Sequence, residues 1–439
     1  MMLLCLLAFA AASVVANAVV DDHTCHRSSG GCEPKSLCEY NYNFGDLSFD
    51  QSCRVKDGVN FYPQQIHLAF AGIETGTAMA VSWATFEDVT DSSVWVGRSE
   101  DTLALVDTLV SSDRYYSDDE YNLFHHHATI TGLKPHTKYF YKVGSRGDEK
   151  YTSDVSSFVT ARAATDDSTF NVLIYGDLGD GENSVDTIAA VNNMTSDEID
   201  LVYHLGDISY ADNDFLEAKQ AAGFCYEEVY NKWMNSMMPL MSRVPYMVLV
   251  GNHEAECHSP RCQASRSKSK ALGNYTAYNT RLKMPYEESS GTSNMWHSLD
   301  HGPIHFTSLS TESDYPNAPA NAFTIWTKNG NFDFRWMHRP IYSVLNSEND
   351  VPIAQTAKVQ AAFEDLLLKY KVDVVLTGHK HYYERHLPIA SPKAVLDGVS
   401  EDFKVYENPQ APVHILSGGA GQSEGLSFSP KHTSSWNAV

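Results

Sequence analysis

The stretch Leu201-Val-Tyr-His-Leu-Gly-Asp-Ile-Ser-Tyr210 joins an apolar run to a turn that carries a carboxylate, a hydroxyl and a phenol. An apolar run of this length, followed at once by a glycine turn, is typical of a buried strand. A glycine turn with polar side chains also follows the apolar runs 172–175, 246–250 and 372–376. The three corresponding turns are Gly176-Asp177-Leu178-Gly179, Gly251-Asn252-His253-Glu254 and Gly378-His379-Lys380-His381.

From about residue 170 these strand-like runs, with a further one at 304–309, alternate with segments that fit helices, namely 184–194, 215–238 and 354–370. This alternation predicts an α/β domain. Residues just past the carboxyl ends of the strands of an open α/β sheet meet in one crevice, so the four turns are expected to converge. The repeated glycine keeps each turn tight and lets the backbone pass close to a bound ion.

The side chains of the four turns are oxygen and nitrogen donors without thiolates, which favours hard and borderline metal ions. A single Gly-Asp after a strand is more often a helix cap or a turn. Four such turns together predict a binuclear centre, because two ions about 3.5 Å apart can share a carboxylate and act on a phosphoryl group.

At these residues the sequence resembles the purple acid phosphatases, a branch of the binuclear metallophosphoesterases, over about residues 62–425. The resemblance implies a ferric iron paired with a divalent zinc, manganese or iron ion. Tyr210 distinguishes this branch from most other binuclear phosphoesterases, which lack a tyrosine ligand. A phenolate bound to ferric iron gives a purple colour. His253 is implied to contact the phosphate or its leaving group as the catalytic histidine. The implied metal ligands are Asp177, Tyr210 and His381 for the ferric ion, Asn252, His338 and His379 for the divalent ion, and Asp207 as the bridge.

His338 lies in Met337-His338-Arg339-Pro340, which looks like the remaining ligand motif of the family. The family carries a helix and then an apolar strand before this histidine. Here fewer than 30 residues separate the strand at 304–309 from His338, and the run 331–336 is a weak strand. A missing element would displace His338 from the other ligands. Residues 341–350 also lack the additional substrate histidines of some relatives, which leaves leaving-group assistance to His253.

Residues 62–161 are predicted to form a separate all-β sandwich, with turn residues between short strands and no helical period. The stretch 128–143 resembles the corner of a fibronectin type III domain, where a tyrosine packs back on the preceding turn. The consecutive histidines His125, His126 and His127 are interpreted as loop and surface residues. The predicted strands are 65–69, 78–83, 93–96, 126–130, 137–143 and 157–160, and the predicted structural histidines of the α/β domain are His297, His301 and His305.

The N-terminal sequence predicts export. Residues 1–18 hold an apolar run and a small-residue cleavage pattern, which predict a signal peptide and a secreted or vacuole-like location. Seven cysteines remain after it, and an oxidising compartment would allow two bridges among Cys25, Cys32, Cys38 and Cys53 and one between Cys257 and Cys262. The net charge of −23 argues against binding to nucleic acids or anionic membranes, and no later run is long enough for a membrane span. Two glycosylation sequons begin at Asn193 and Asn274.

The resulting prediction is a signal peptide at 1–18, a cysteine-containing segment at 19–61, a fibronectin-like sandwich at 62–161 and an α/β/β/α metallophosphoesterase domain at 168–439 whose C-terminus is expected to be incomplete. By the resemblance, the reaction is the hydrolysis of small phosphate monoesters, with phosphoproteins as further substrates, by a hydroxide held between the two metals at acidic pH. Two alternatives stay open. One is a phosphodiesterase or nucleotide pyrophosphatase at the same site, and the other is a secreted binding protein with impaired catalysis.

Overall fold

The structure is a computed structural model. It describes residues 62–115, 123–212, 226–255, 260–266, 269, 274–319, 334–422, 424–427 and 433–438. The predicted signal peptide, the first four cysteines of the mature chain and Cys225 and Cys257 lie outside these residues. The predicted disulfide pairings and domain boundaries therefore stay predictions.

The N-terminal part is a β-sandwich of two four-stranded sheets with orders β1-β2-β6-β5 and β4-β3-β7-β8. The predicted corner is present, because the Tyr139 hydroxyl accepts a hydrogen bond of 3.1 Å from the Lys134 amide. The short edge strands β4 and β5 were not predicted. The strands are β1 (Gln64–Ala71), β2 (Ala78–Thr85), β3 (Ser92–Gly97), β4 (Ala104–Leu105), β5 (Val110–Asp113), β6 (Phe124–Thr131), β7 (Lys138–Ser145) and β8 (Ser156–Val159).

Every residue of β1 and β2 is buried, including those whose side chains point away from the sandwich core. The outer face of their sheet is covered by the α/β domain, which explains why the interpretation of the three consecutive histidines was wrong. They lie on β6, where His125 and His126 are 2% and 0% exposed and the His127 ring bonds to the Thr280 carbonyl of the α/β domain at 2.8 Å.

The C-terminal part contains a parallel three-stranded sheet, β11-β10-β9, and a mixed seven-stranded sheet, β12-β13-β14-β17-β20-β18-β19. The two sheets face each other, since Tyr203 of β10 stacks on Phe306 of β13. The strands are β9 (Val172–Tyr175), β10 (Leu201–His204), β11 (Tyr246–Val248), β12 (His297–His301), β13 (Ile304–Leu309), β14 (Phe334–Met337), β15 (Ser347–Glu348), β16 (Val351–Pro352), β17 (Val374–Thr377), β18 (Tyr383–Ala390), β19 (Lys393–Ala394) and β20 (Val413–Ser417).

Helices flank these sheets, so the predicted fold class, an all-β sandwich followed by an α/β/β/α domain, is confirmed. Helix α2 packs between β1 of the β-sandwich and α1. A helix was predicted at 215–238. Its residues 215–225 lie outside the described residues, and the helix that the structure describes there is Tyr226–Met241. The helices are α1 (Val185–Asn192), α2 (Tyr226–Met241), α3 (Pro260–Ala264), α4 (Thr276–Arg281) and α5 (Ala354–Lys369). None of the helices among the described residues combines the length and apolar character that a membrane span needs.

Strand β14 places the four residues directly before His338 in the large sheet. Phe334–Met337 runs parallel to both β13 and β17, with Leu309 opposite Met337 and Leu376 opposite Trp336. The short connection therefore still delivers a central strand of the large sheet. His338 follows directly at its carboxyl end, beside the ends of the neighbouring parallel strands.

Candidate metal centre

Five parallel strands end at the same place, and each is followed by a predicted ligand. Asp177 follows β9, Asp207 follows β10, Asn252 follows β11, His338 follows β14 and His379 follows β17. The backbones of Asp177, Asp207, Tyr210 and His379 have φ values of 62°, 53°, 55° and 69°. This left-handed conformation is costly for residues with a side chain, and such residues cluster where the surrounding structure holds a functional geometry.

A first group gathers around the Tyr210 hydroxyl. This hydroxyl lies 3.1 Å from Asp177 Oδ1 and 3.2 Å from His381 Nε2. His381 Nε2 is in turn 3.4 Å from Asp177 Oδ1. A phenol, a carboxylate and an imidazole nitrogen thus meet at one point.

A second group gathers around His338, whose Nε2 lies 2.9 Å from Asp207 Oδ2 and 3.1 Å from Asn252 Oδ1. One ligand-type atom from each of Asp207, His338 and His379 lies within 4.8 Å of the others. The displacement expected for His338 from the shortened segment is therefore not found in the structure. All seven sequence-predicted ligands lie in these two groups.

Asp207 joins the groups, because the same Oδ2 that faces His338 is also 3.5 Å from the Tyr210 hydroxyl. Its other oxygen, Oδ1, accepts the His253 amide hydrogen at 2.8 Å. The carboxylate is therefore oriented by the backbone and presents one oxygen to both sides.

Backbone carbonyls fix the two histidines that face the groups with Nε2. His338 Nδ1 lies 2.8 Å from the Leu205 carbonyl and His381 Nδ1 lies 3.1 Å from the Gly425 carbonyl. A carbonyl only accepts, so Nδ1 carries a hydrogen in both rings, and Nε2 is the nitrogen that can bind a metal ion at the centre. The same support of a ligand histidine by a backbone carbonyl is common in metal sites.

The donor set fits a pair of metal ions. The carboxylates of Asp177 and Asp207 are 0% and 1% exposed, and buried charges of like sign need a compensating cation. Three imidazole rings, a phenol and an amide oxygen lie beside them, with no thiol in either group. Hard and borderline ions prefer this mixture.

Glycines make room for these carboxylates. A Cβ on Gly251 would lie 2.3 Å from Asp207 Oδ1, and a Cβ on Gly378 would lie 2.5 Å from Asp177 Oδ2. Neither distance leaves space for an atom, so any other residue at these positions would push the carboxylate away. This close approach explains the glycines that open two of the ligand turns, Gly251 and Gly378.

Glu254 supports the centre without facing it, and sequence reasoning missed this role. Its buried carboxylate accepts the amide hydrogens of Asp207 and Ile208 at 2.8 Å and of Gly251 at 2.6 Å. One side chain therefore ties the loop after β10 to the loop after β11. Its position two residues after Asn252 was the available signal, since a carboxylate near exposed loop amides can satisfy several of them.

His253 stands at the edge of the first group, with its ring 4.2 Å from the Tyr210 ring. Its Nδ1 lies 3.0 Å from both oxygens of Asp212, and its Nε2 lies 3.6 Å from Glu424 Oε1. Burial opposes a charge on this ring, but the negative charges of Asp207, Asp212 and Glu424 raise the pKa of His253 to about 10. Asp212 and Glu424 were not predicted, because nothing in the sequence indicates that they approach His253.

Burial and the nearby carboxylates also shift the pKa values of Tyr210 and His338. Burial and the carboxylates of Asp177 and Asp207 raise the pKa of Tyr210 far above its usual range. Burial disfavours the charged form of His338, but Asp207 beside it raises its pKa to about 9. In the protein alone, the site therefore holds protons on the phenol and on His338 that bound cations would displace.

A buried ion pair borders the second group. Arg339, which follows His338, donates from Nε to Glu312 Oε1 at 2.7 Å and from a terminal nitrogen to Glu312 Oε2 at 3.0 Å. Its other terminal nitrogen lies 3.2 Å from His379 Nε2. Glu312 is 1% exposed and follows β13, and sequence reasoning missed this pair because it joins distant residues.

Two family models match the chain. The N-terminal domain of purple acid phosphatases matches residues 63–160, and the calcineurin-like phosphoesterase model matches residues 170–383. Purple acid phosphatase 22 of Arabidopsis thaliana is 30% identical over 381 residues, which cover 84% of this chain and 74% of that protein. The chain belongs to the purple acid phosphatase family.

Two other comparisons agree with this membership. Acid phosphatase A of Cryphonectria parasitica is 28% identical over 442 residues, covering 83% of this chain and 82% of that protein. The solved structure of the purple acid phosphatase PPD1 from yellow lupin seeds covers 87% of this chain and 68% of that chain with a TM-score of 0.64 at 20% identity. The lupin structure thus shares the fold, and the purple acid phosphatases are a family of enzymes that depend on two metals.

Proposed function

We propose that this purple acid phosphatase hydrolyses phosphate monoesters at a centre of two metal ions. Asp177, Tyr210 and His381 would hold a ferric ion, Asn252, His338 and His379 a divalent zinc, manganese or iron ion, and Asp207 both. The observation that carries the proposal is the single oxygen Oδ2 of Asp207, which lies between the Tyr210 hydroxyl and His338 Nε2. Two ions there would polarise the phosphoryl oxygens and lower the pKa of a coordinated water, also in acidic medium.

The phenol at Tyr210 supports iron in the first position. Because burial and two carboxylates raise its pKa, only a strongly charged ion in contact with the oxygen is expected to ionise it. Ferric iron bound to a phenolate absorbs visible light. Binding of ferric iron by the first group can therefore be tested by visible absorption spectroscopy.

Replacement of Tyr210 by Phe is expected to remove the visible absorption band and to lower the iron content, while the divalent ion stays bound. The purified protein would be measured by metal analysis and absorption spectroscopy, together with hydrolysis of an aryl phosphate at acidic pH. Tyr203→Phe is the matched control, because Tyr203 is buried in β10 and bonds to Ser308 away from the centre. A colourless wild-type protein without metal would contradict the proposal and favour a binding protein with impaired catalysis.

His253, held by Asp212, would supply the proton that the leaving group needs. Asp212 accepts the Nδ1 hydrogen of His253, which holds the ring beside Tyr210 with Nε2 3.6 Å from Glu424 Oε1. With a raised pKa, the ring carries a hydrogen on Nε2 as well. His253 would donate this proton to the departing alcohol oxygen as general acid.

Asp212→Asn is expected to lower kcat by about 10- to 100-fold, part of the effect of a general acid, because an amide holds the imidazolium less firmly. The metal content and KM should change little. Steady-state kinetics over a pH range would measure this, with the half-exposed Glu424→Gln as the comparison, where a smaller loss is expected. An Asp212→Asn enzyme with the wild-type kcat would remove Asp212 from the mechanism.

We further propose that the enzyme is exported and acts on small phosphorylated substrates and phosphoproteins in a secreted or vacuole-like compartment. The predicted signal peptide supports this. Asn193 and Asn274, which begin the two sequons, are exposed and accessible to glycosylation. Disulfides among the cysteines of the N-terminal segment belong to the same proposal.

A further inference from the structure

A buried polar cluster that contains none of the candidate metal ligands joins the β-sandwich to the α/β domain. We call it the junction seam. It contains three residues of α2 at a spacing of four, which places them on one face of the helix. Its members are Gln64 and Gln65 of β1, Tyr115, Glu227, Asn231 and Asn235 of α2, and Arg281 of α4.

Arg281 is the centre of the seam, and its side chain is fully buried. The guanidinium forms an ion pair with Glu227 and donates to Asn231 Oδ1 at 2.8 Å and to the Tyr115 hydroxyl at 3.1 Å. It also donates to Gln65 Oε1 at 3.1 Å, across the boundary between the two domains. A buried arginine with these partners fixes the position of the β-sandwich, because removal of any partner leaves a buried charge poorly paired.

Amide side chains complete the seam. Gln65 Nε2 donates to Asn231 Oδ1 at 3.0 Å, and Asn235 Nδ2 donates to Gln64 Oε1 at 3.0 Å. The backbone amide of Gln65 donates to Asn235 Oδ1 at 3.2 Å. This last bond gives a main-chain hydrogen that is protected only while the two domains stay in contact.

Three histidines border the seam on the outer face of the β-sandwich. His67 of β1 and His127 of β6 lie in one row across the sheet, with Ser82 of β2 between them. His127 bonds to Ser82 Oγ at 2.7 Å and to the Thr280 carbonyl at 2.8 Å. His125 lies two residues before it and stacks on Tyr115, which bonds to Glu227 of the seam.

Among the residues that the structure describes, the charges that face these histidines are mostly positive. Arg281 acts on His125, Lys283 acts on His127, and the three rings act on one another and on His126 inside the sandwich. The carboxylate of Glu227 is already paired with Arg281, Lys283 is paired with Glu287, and Asp113, opposite His125 on β5, is exposed. Burial lowers the pKa of His67 and of His127 to about 4, and burial and then Arg281 hold the pKa of His125 well below its usual range.

We propose that the junction seam is an acid-sensitive latch, in which protons taken up by His67, His125 and His127 add positive charge at the boundary and separate the β-sandwich from the α/β domain. His125 would be charged beside Arg281, and His127 beside Lys283 and His67. The rings are neutral when the domains are in contact and basic when water reaches them. Separation therefore binds protons, and acid favours it.

The direction and the pH range follow from the lowered pKa values. A histidine in water titrates near 6.5, whereas His67 and His127 in the closed seam titrate near 4. The closed form is fully favoured above about pH 6.5 and loses this advantage as the pH falls toward 4. For each of these two histidines, the open population rises by up to about 10²-fold at pH 4.5 if opening exposes the ring fully.

The latch is tested by hydrogen–deuterium exchange of the Gln65 amide in the metal-loaded enzyme between pH 7 and pH 4.5, after correction for the intrinsic exchange rate. We expect its protection to fall by at least about 10²-fold over this range. In the triple variant His67→Asn, His125→Phe and His127→Gln, which keeps ring or amide contacts but cannot titrate, the fall should be less than tenfold.

His297→Gln is the matched control. This histidine is also buried with a pKa lowered by burial to about 3, but it lies on β12 and bonds to Ser308 inside the α/β domain. The control should lose protection at Gln65 like the wild type. Equal protection of Gln65 at pH 7 and pH 4.5 in the wild-type enzyme would overturn the latch, as would an unchanged pH dependence in the triple variant. The wild-type series decides the matter even if the triple variant does not fold.

Discussion

The Asp207→Asn enzyme is expected to lose phosphatase activity by a factor on the order of 10³ or more. One oxygen of this carboxylate faces both His338 Nε2 and the Tyr210 hydroxyl, at 2.9 Å and 3.5 Å, and the other accepts the His253 amide hydrogen. Asparagine preserves the shape but removes the negative charge that would be shared between the ions. Both groups of ligands should therefore lose affinity together.

Turnover of an aryl phosphate and metal content by mass spectrometry would be measured on the same sample. Asp300→Asn is the matched control, because this aspartate lies on β12 and pairs with His305 away from the centre. We expect both ions and full activity in the control. An Asp207→Asn enzyme that keeps both ions and a tenth of the wild-type kcat would refute the shared ligand.

The Glu254→Ala protein is expected to lose about 3–5 kcal/mol of stability, with a melting temperature lower by roughly 10 °C. The carboxylate accepts three amide hydrogens, from Asp207, Ile208 and Gly251, and each buried donor left without an acceptor costs about 1–3 kcal/mol. Because these amides belong to the loops that carry Asp207 and Asn252, metal affinity should fall as well.

Calorimetry of the metal-loaded and metal-free protein would separate the two effects. Glu254→Gln keeps one acceptor oxygen and should recover part of the loss, while Glu287→Ala, at a side chain that is 67% exposed and paired with Lys283, should change little. A Glu254→Ala protein with an unchanged melting temperature in both states would show that the loops are held by other contacts.

The convergence of the candidate ligands could largely be predicted from the sequence, because four of them follow an apolar strand at a glycine turn. Asp177, Asp207 and His379 needed only the rule that parallel strands end at one edge of a sheet. His338 was harder, since its strand is short and Phe334–Met337 has a weak strand pattern. Its pairing with β13 and β17 comes from neighbours that are distant in the sequence.

The residues that support the centre were not predicted, and the reason is the same for each. Asp212, Glu312 and Glu424 act through partners at long sequence separation, and a single sequence contains no sign of such pairs. The histidines 125–127 failed for a related reason. Their strand was predicted, but the domain that covers its outer face could not be, so buried rings were taken for surface ones.

The left-handed backbone at Asp177, Asp207, Tyr210 and His379 bears on attempts to transplant this centre into another scaffold. A graft of the seven side chains alone would place them on loops that prefer other conformations, at a cost of about 1–3 kcal/mol for each residue held in this region. The unit that can be moved is the strand end with its glycine and its ligand together, braced by Glu254. Directed evolution of new substrates should accordingly succeed in the walls around His253 and fail in the turns themselves.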